Sequence, residues 1–360
     1  MGGFLIDGVS PTTYARKALT ALRLRVDRGE AADDWLLLSI YCLAAIEFWT
    51  NSPPLWSRQI ANHNTITHKP MMQAAHIHLN ALVRLVKEHG GWKCFDPYLL
   101  ESSVLIDKYL AISELASPTI PLTWDPGPTP PASPAWLDGK LPWAGTNKRP
   151  FQIENTALHC RITSPCPIED AGLVLGGGFR QHGVDKQLLE VLFDIAQYIQ
   201  FATCLWHSRE TMTDQQESWL FHRLQALIYR LLALDQLLNP LDECTRLAGL
   251  VFILSTIDHR GAHIAAVALL SPLRDALNRM VSETEAFDLQ FWCLCVGAMA
   301  DDLTIKTPWF LEQVAKRILD MGIDTDRDAL ERRLHSFLYI PSRQRWKLEL
   351  LCCDARERRC

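Results

Sequence analysis

Residues 71–92 read MMQAAHIHLNALVRLVKEHGGW, and this stretch decides the fold because it is a complete helix with one apolar face and a clear end. Apolar residues recur in it at steps of three and four, the period of an α-helix that buries one stripe. Gly90 and Gly91 favour a left-handed stop, and Lys87 and His89 complement the negative end of the helix. The stretch therefore predicts a helix of the protein core. Its buried stripe is Met72, Ala75, Leu79, Leu82, Val83 and Val86.

Helical patterning continues on both sides of this stretch. A first amphipathic helix is predicted over 14–28, a more buried one over 35–49 and a fourth over 97–115. The pattern places Asp107 and Lys108 on the solvent side of the fourth helix, because polar residues normally lie opposite the apolar stripe. These helices make a first helical half of the chain.

The composition changes between residues 117 and 186, where prolines recur and exclude a helix across most of the segment. Four large aromatic residues in it are anchors that a free linker would not need. We therefore expect a long irregular crossover that packs on the folded body. The four anchors are Trp124, Trp136, Trp143 and Phe151.

Helix signals return after the crossover. Asn239, Ser271 and Thr307 each precede a proline, an arrangement that is favoured at the first turn of a helix. The sequence shows no repeat of fixed period and no strand-like alternation, so we predict an all-α chain folded as a multi-helix single body. The predicted helices are 184–206, 218–238, 242–257, 309–321, 327–339 and a basic helix from 343. The predicted parts are a helical half 1–116, the Pro-rich crossover 117–186 and a helical half 187–360.

The composition fits a folded protein, since 48% of the 360 residues are apolar and 21% are charged. A net charge of -5 gives no broad attraction to nucleic acid or to an anionic membrane. The longest apolar runs are shorter than a bilayer crossing and carry polar breaks, so no membrane-spanning helix is expected. The first residues show no secretory signal.

The cysteines point to a reducing environment. There are eleven, an odd number, and most stand inside apolar helical runs such as SIYCLAAI and QFWCLCVGAM. This usage is typical of reduced, buried thiols rather than of a disulfide framework. We therefore expect free cysteines and an intracellular location.

Seven stretches in a fixed order carry a family resemblance. They are ARKALTALRLRV from residue 15, WLLLSIYCLAAIEFW from 35, HIHLNALVRLVKEHGG from 76, ECTRLAGLVFIL from 243, DLQFWCLCVGAMA from 288, TPWFLEQVAKRILDMGI from 307 and LERRLHSFLYIPSRQRWKLEL from 330. In this order they resemble the fungal-specific regulatory domain that follows the binuclear zinc cluster in fungal transcription factors. The resemblance covers nearly the whole chain and is weakest across the crossover.

The resemblance implies a helical regulatory protein of the nucleus that acts on transcription, with genes of fungal secondary metabolism as its targets. The implied partners are a zinc-cluster transcription factor, a second copy of the chain in a homodimer, and a small-molecule effector held between helices. The family's DNA-binding module needs six cysteines in two CxxC-type clusters, and no such run occurs in this sequence. We therefore expect no direct DNA contact, no cofactor and no enzymatic activity.

Two histidine pairs invite a metal-site interpretation, but neither has convincing geometry. His76 and His78 point roughly 200° apart on one helix and cannot bind the same ion, and His76 falls on the buried stripe. We predict that His76 is a hydrogen-bonded core histidine. His259 and His263 have no glutamate between them, and Gly261 suggests a helix end.

Other candidate groups are also incomplete. Asp301 and Asp302 suggest the magnesium-binding carboxylates of an all-α terpene cyclase, but Ile305 stands where a third carboxylate is needed. Solvated charges at a helix end are the better interpretation. Cys94 and Cys166 have no base that the sequence can pair with them.

The remaining motifs resemble phosphate contacts only in composition. LVLGGGFRQHG, residues 173–183, lacks the Lys and Ser/Thr ending of a phosphate loop, so we predict a flexible loop. In the basic helix from Arg343, basic and acidic residues alternate, which favours a solvated face over phosphate binding. The sequence therefore assigns no catalytic, cofactor-binding, metal-binding or DNA-binding residue.

Two alternative hypotheses stay open beside the regulatory one. Scattered carboxylates and histidines are compatible with a helical, metal-dependent enzyme of secondary metabolism that resembles a terpene cyclase. The missing cysteines are compatible with a truncated product of a zinc-cluster factor gene. Both hypotheses predict the same all-α fold.

Overall fold

The computed structural model of the chain describes residues 11–28, 33–51, 69–128, 178–207, 213–234, 239–257, 262–280, 286–300, 309–321 and 327–357. Every regular element in these ranges is a helix, so the predicted all-α fold is confirmed. None of these helices is both long and apolar enough to cross a bilayer. The chain divides into two compact units, Met1–Pro121 and Leu122–Cys360, and their boundary falls inside the predicted crossover.

The described helices of the first unit are α1 (Pro11–Asp27), α2 (Asp34–Asn51), α3 (Lys69–Glu88) and α4 (Pro97–Glu114), with a 3-10 turn at Trp92–Cys94. The apolar helix α2 is central to this unit, because it packs on α1, α3 and α4. Its Leu36, Leu37 and Ile40 form a core with Leu82 and Val86 of α3. The unit therefore has a small hydrophobic core of its own.

The stripe predicted for α3 is buried at Ala75, Leu79, Leu82 and Val86, which confirms that this helix belongs to the core. Its end is a double-glycine stop, as predicted. Gly90 and Gly91 have φ angles of 97° and 88°. The N–H of Gly91 donates to the carbonyl of Val86 at 2.9 Å, and this bond satisfies a carbonyl of the last turn. The helix ends at Glu88, directly before this stop.

The prediction that Asp107 and Lys108 of α4 face solvent is wrong, because both side chains are buried. Asp107 accepts hydrogen bonds from the backbone N–H groups of Thr119, at 2.9 Å, and Ile120, at 2.8 Å. The Lys108 ammonium lies 4.7 Å from the ring centroid of Tyr109. The segment after α4 folds back and supplies the partners of Asp107, which the periodicity of the helix alone does not reveal.

The described helices of the second unit are α5 (Gly178–Gln181), α6 (Lys186–His207), α7 (Asp214–Leu232), α8 (Pro240–Phe252), α9 (Ala262–Ala268), α10 (Leu270–Arg279), α11 (Phe287–Ala300), α12 (Trp309–Asp320), α13 (Arg327–Leu334) and α14 (Pro341–Glu357), with a π turn at Ile253–Ile257. Helix α11 is buried from Leu289 to Ala300 and packs on α8, α12 and α14. A helix surrounded on all sides has to be apolar all round, as this sequence is.

The starts of these helices follow the predicted cap chemistry only in part. Asn239 accepts a hydrogen bond from the N–H of Asp242 at 2.8 Å, with Pro240 at the first position of α8. However, α10 begins at Leu270 without a side-chain cap, so the start predicted at Ser271 is wrong. A helix start without a cap carries no local signal.

The cysteine prediction is confirmed for some positions and wrong for others. The described cysteines are free. The buried ones are Cys244, Cys293, Cys295 and Cys352, and the exposed ones are Cys42, Cys94 and Cys353. Burial raises the pKa of the Cys293 and Cys295 thiols well above its usual range, so these thiols are poor nucleophiles.

Candidate functional site

The two histidines of α3 have separate partners and do not form a metal site. His76 Nε2 lies 3.0 Å from a carboxylate oxygen of Glu114 in α4, in an ionic contact that is not aligned as a hydrogen bond. The His76 side chain is 23% exposed and its Nε2 atom makes no hydrogen bond, so the predicted core histidine is only partly buried. Burial lowers the pKa of His78.

Most of the other sequence candidates lie outside the part of the chain that the structure describes. His259, Asp301, Asp302 and Cys166 lie outside the described residues, and His263 lies in α9. Cys94 is exposed in the 3-10 turn after α3. Within the described ranges, no group of three His, Cys, Asp or Glu side chains is placed to hold a metal ion.

The described part of the glycine stretch is a short helix, so the flexible-loop prediction is wrong from Gly178 onward. Phe179 is buried there, and its ring packs edge-to-face on Trp292 of α11 at 5.1 Å. A Cβ atom on Gly178 would lie 2.4 Å from the carbonyl oxygen of Ser336. The glycine therefore permits close packing of two backbones.

The inner face of the basic helix α14 contacts the ends of two other helical segments. The Arg343 guanidinium donates to the carbonyl of Thr256 in the π turn, and the Lys347 ammonium donates to the carbonyl of Met299 near the end of α11. Cations at these positions complement the negative ends of helices. Burial lowers the pKa of both side chains. The prediction of a solvated face is therefore wrong for these two residues.

The solvent-facing side of α14 carries apolar groups. The Trp346 side chain is 55% exposed, Leu350 is 47% exposed, and Cys353 is exposed as well. These residues are four and three positions apart, so they form one stripe on the helix. We call the stripe and its exposed charged neighbours the outer face. It consists of Arg345, Trp346, Glu349, Leu350, Cys353, Arg356 and Glu357.

A buried carboxylate fixes the position of α14. Glu331 of α13 lies 3.0 Å from the Arg345 guanidinium and 3.9 Å from His335 Nε2, and its side chain is 8% exposed. Burial and the neighbouring Glu331 carboxylate raise the pKa of Tyr339, which keeps this hydroxyl protonated. The cluster holds the turn between α13 and α14 by charge pairing.

A second charge network lies at the start of the crossover. Arg223 of α7 is 3% exposed and donates to both oxygens of Asp125 at 3.1 Å and to Asp194 of α6 at 2.9 Å. Arg230 also pairs with Asp194. The Trp124 ring packs edge-to-face on Tyr229 at 5.1 Å. This end of the crossover is therefore anchored on α6 and α7. Trp136, Trp143 and Phe151 lie outside the described residues.

Both networks were missed by sequence reasoning, although one left a signal. Arg223 stands beside Leu224 within the stripe that Leu220 and Leu227 define, where a charge needs a buried partner. Glu331 gives no comparable signal, because α13 is short and charged on most sides.

Contacts with other helical segments hold α14 in place. Its inner face is tied by Arg343 and Lys347 to the ends of other helical segments, so the helix cannot turn about its axis. This restraint keeps Trp346 and Leu350 directed towards solvent. Such a surface can bind a partner. Comparison of the chain with protein-family models, with curated proteins and with solved structures finds no match in any of the three.

Proposed function

We propose that this chain is a regulatory protein of the fungal transcription-factor type, without enzymatic activity, that works in the nucleus through protein contacts. The ordered stretches of sequence support the proposal, and each of the seven overlaps a helix of the structure. The chain itself carries no zinc-cluster run, so a partner such as a zinc-cluster factor brings it to DNA.

The observation that carries the proposal is the exposed tryptophan stripe on a firmly held helix. Tryptophan contributes most where it is desolvated at the centre of a protein interface, and exposed apolar patches on folded proteins mark such interfaces. Because α14 is fixed by buried charge contacts, its outer face is presented in one orientation. Little ordering entropy is then lost on binding.

The proposed targets are genes of fungal secondary metabolism. An effector bound between helices would act by favouring one packing of those helices over another and so changing how the outer face is presented. A small molecule of this kind has to bind the two packings with different affinity, or it shifts nothing.

The test is a reporter assay with the full chain fused to a heterologous DNA-binding domain. We expect reporter output to change relative to the DNA-binding domain alone, and we expect Trp346→Glu to remove that change by placing a charge in the contact surface. Phe193→Glu is the matched control, because Phe193 is exposed on α6, outside the outer face. A wild-type fusion that leaves the reporter unchanged contradicts the proposal.

A further inference from the structure

We infer that the exposed face of α1 binds an acidic amphipathic helix of a partner protein. The inference concerns the first unit, so it goes beyond the proposed function, which is carried by α14 of the second unit. It starts from a local excess of positive charge. Residues 11–28 carry five basic side chains and one acidic side chain, a net charge of +4 in a chain whose net charge is -5.

The inner side of α1 is held by apolar and ionic contacts. Leu22 packs against the core that α2 and α3 form, and Leu19 is half-buried. Near the end of the helix, the Arg25 guanidinium donates to the Asp33 carboxylate at 3.0 Å. These contacts fix the rotation of α1 about its axis, and they therefore fix which of its residues are directed to solvent.

Four exposed residues form one stripe on the other side of α1. They lie within about 60° of one another around the helix, which advances by about 100° per residue. Arg28 continues the helix, because its N–H donates to the carbonyl of Leu24 at 3.1 Å. The Leu24 side chain is 49% exposed. We call this stripe the α1 face, and it consists of Lys17, Ala21, Leu24 and Arg28.

The order of residues in the α1 face defines the chemistry of the partner. Lys17 and Arg28 lie about 16 Å apart along the helix axis, and the residues between them in the stripe are apolar. A helix laid along α1 therefore meets a cation at each end of the contact and an apolar side chain at its centre. The complementary helix carries two carboxylates about 11 residues apart, with apolar residues between them at steps of three and four. Opposite charges at both ends fix the register of the pair.

The α1 face fits other anionic ligands less well. A phosphate backbone presents charge along its whole length, and Leu24 at the centre of the face would then be packed against charge. A helix that lies on a membrane needs a wide apolar side. In α1, Leu22 is packed on the core, so Leu24 is the one large apolar side chain of the α1 face. These observations favour a protein helix over nucleic acid or an anionic lipid surface.

The probe is a fluorescein-labelled helical peptide in which two glutamates, about eleven residues apart, flank two leucines, with alanine and glutamine elsewhere. Its binding to the full chain is measured by fluorescence anisotropy. We expect Lys17→Glu to raise the dissociation constant about tenfold, because it places a carboxylate opposite a carboxylate. Leu24→Ala should raise it about fivefold, because part of the central apolar contact is lost. Lys316→Glu is the matched control and should leave it unchanged, because Lys316 is exposed on α12 of the second unit.

A charge exchange tests the register. The double variant Lys17→Glu/Arg28→Glu should lose the glutamate peptide and bind a peptide that carries lysine in place of both glutamates. A third peptide with glutamine at these positions should bind the wild type about tenfold more weakly than the glutamate peptide does. Far-UV circular dichroism checks that each variant keeps its helical content. If the double variant fails to fold, Lys17→Glu with a peptide that carries one exchanged lysine takes its place.

Three results would overturn the inference: a wild-type chain that does not bind the glutamate peptide, binding that Lys17→Glu does not weaken, and a charge-exchanged variant that does not bind the lysine peptide. Duplex DNA and vesicles that contain phosphatidylserine are measured with the same variants. If either one binds more tightly than the glutamate peptide and is lost in Lys17→Glu, a protein helix is the wrong partner. These measurements do not use the reporter, so their failure leaves the proposed function in place.

Discussion

Gly297 shows how one missing side chain sets the distance between two helices. It lies within the buried helix α11, and a Cβ atom there would come within 2.3 Å of the Phe310 ring in α12. Phe310 is itself buried, so its ring has no free space into which to move. The glycine therefore costs α11 some helix propensity and allows close contact with α12.

We predict that Gly297→Ala lowers the free energy of unfolding. Alanine gains about 1 kcal/mol of helix propensity, but overpacking a buried site costs about 1–3 kcal/mol, and a Cβ-to-ring distance of 2.3 Å places this site at the upper end. The net loss is about 2 kcal/mol. Guanidinium titration followed by circular dichroism measures it.

The matched control is Gly249→Ala in α8. The added Cβ atom would lie 3.3 Å from Leu192 and 3.6 Å from Leu231, so a small adjustment accommodates it. We expect this variant to be at least as stable as the wild type. If both alanine variants were stabilised equally, close contact at Gly297 would be the wrong explanation.

At the scale of one element, Asp33 decides where α2 begins. Its carboxylate accepts a hydrogen bond from the N–H of Leu36 at 2.7 Å and pairs with Arg25 of α1 at 3.0 Å. The pKa of this carboxyl is lowered, first by the hydrogen bond from Leu36 and then by Arg25. A carboxyl whose pKa is lowered by folding stabilises the folded state above the unfolded pKa, and this stabilisation disappears as the pH falls through the lowered folded pKa.

We predict that Asp33→Ala destabilises the protein by about 1 kcal/mol at pH 7, the usual loss for an N-cap. The difference from the wild type should shrink as the pH falls below about 4, since the wild-type carboxyl is then protonated as well. Asp33→Asn keeps the acceptor oxygen and should lose less than the alanine variant. Denaturant midpoints across pH test this, and a difference that does not change with pH contradicts the linkage.

Elements with regular periodicity or a local cap are predictable from this sequence, and tertiary partners are not. The stripe of α3 and its double-glycine stop follow from local rules that act within one helix. Asp107, Arg343 and Lys347 were assigned to solvent, yet their partners come from segments far away or folded back. The outer face of α14 was overlooked because Trp346 and Leu350 stand among charged residues. Only the structure shows that both side chains face solvent and not the core.

At the scale of the whole molecule, Arg223 joins segments that are far apart in the sequence. Its hydrogen bonds to Asp125 span 98 residues, and its bond to Asp194 spans 29. The network connects the start of the crossover, α6 and α7, and Arg223 itself is almost fully buried. Removing one member of a buried network leaves the opposite charges buried without a partner. The stability lost in this way is larger than the stability that the intact pair contributes.

We predict that Arg223→Met destabilises the protein by about 3 kcal/mol, the lower end for a broken buried ion pair, because Asp125 and Asp194 keep 21% and 22% exposure. Arg230→Met is the matched control, since Arg223 still pairs with Asp194 in that variant. We expect it to lose about 1 kcal/mol, because this pair is 28% and 22% exposed and solvent weakens it.

Hydrogen exchange locates the effect along the chain. Loss of Arg223 should speed exchange between residues 122 and 127, because Asp125 is then released from α7. Added salt should change little in the wild type, since screening acts weakly on a buried pair. If Arg230→Met and Arg223→Met lowered stability equally, or if exchange between residues 122 and 127 did not change, Arg223 would not be the residue that anchors the crossover.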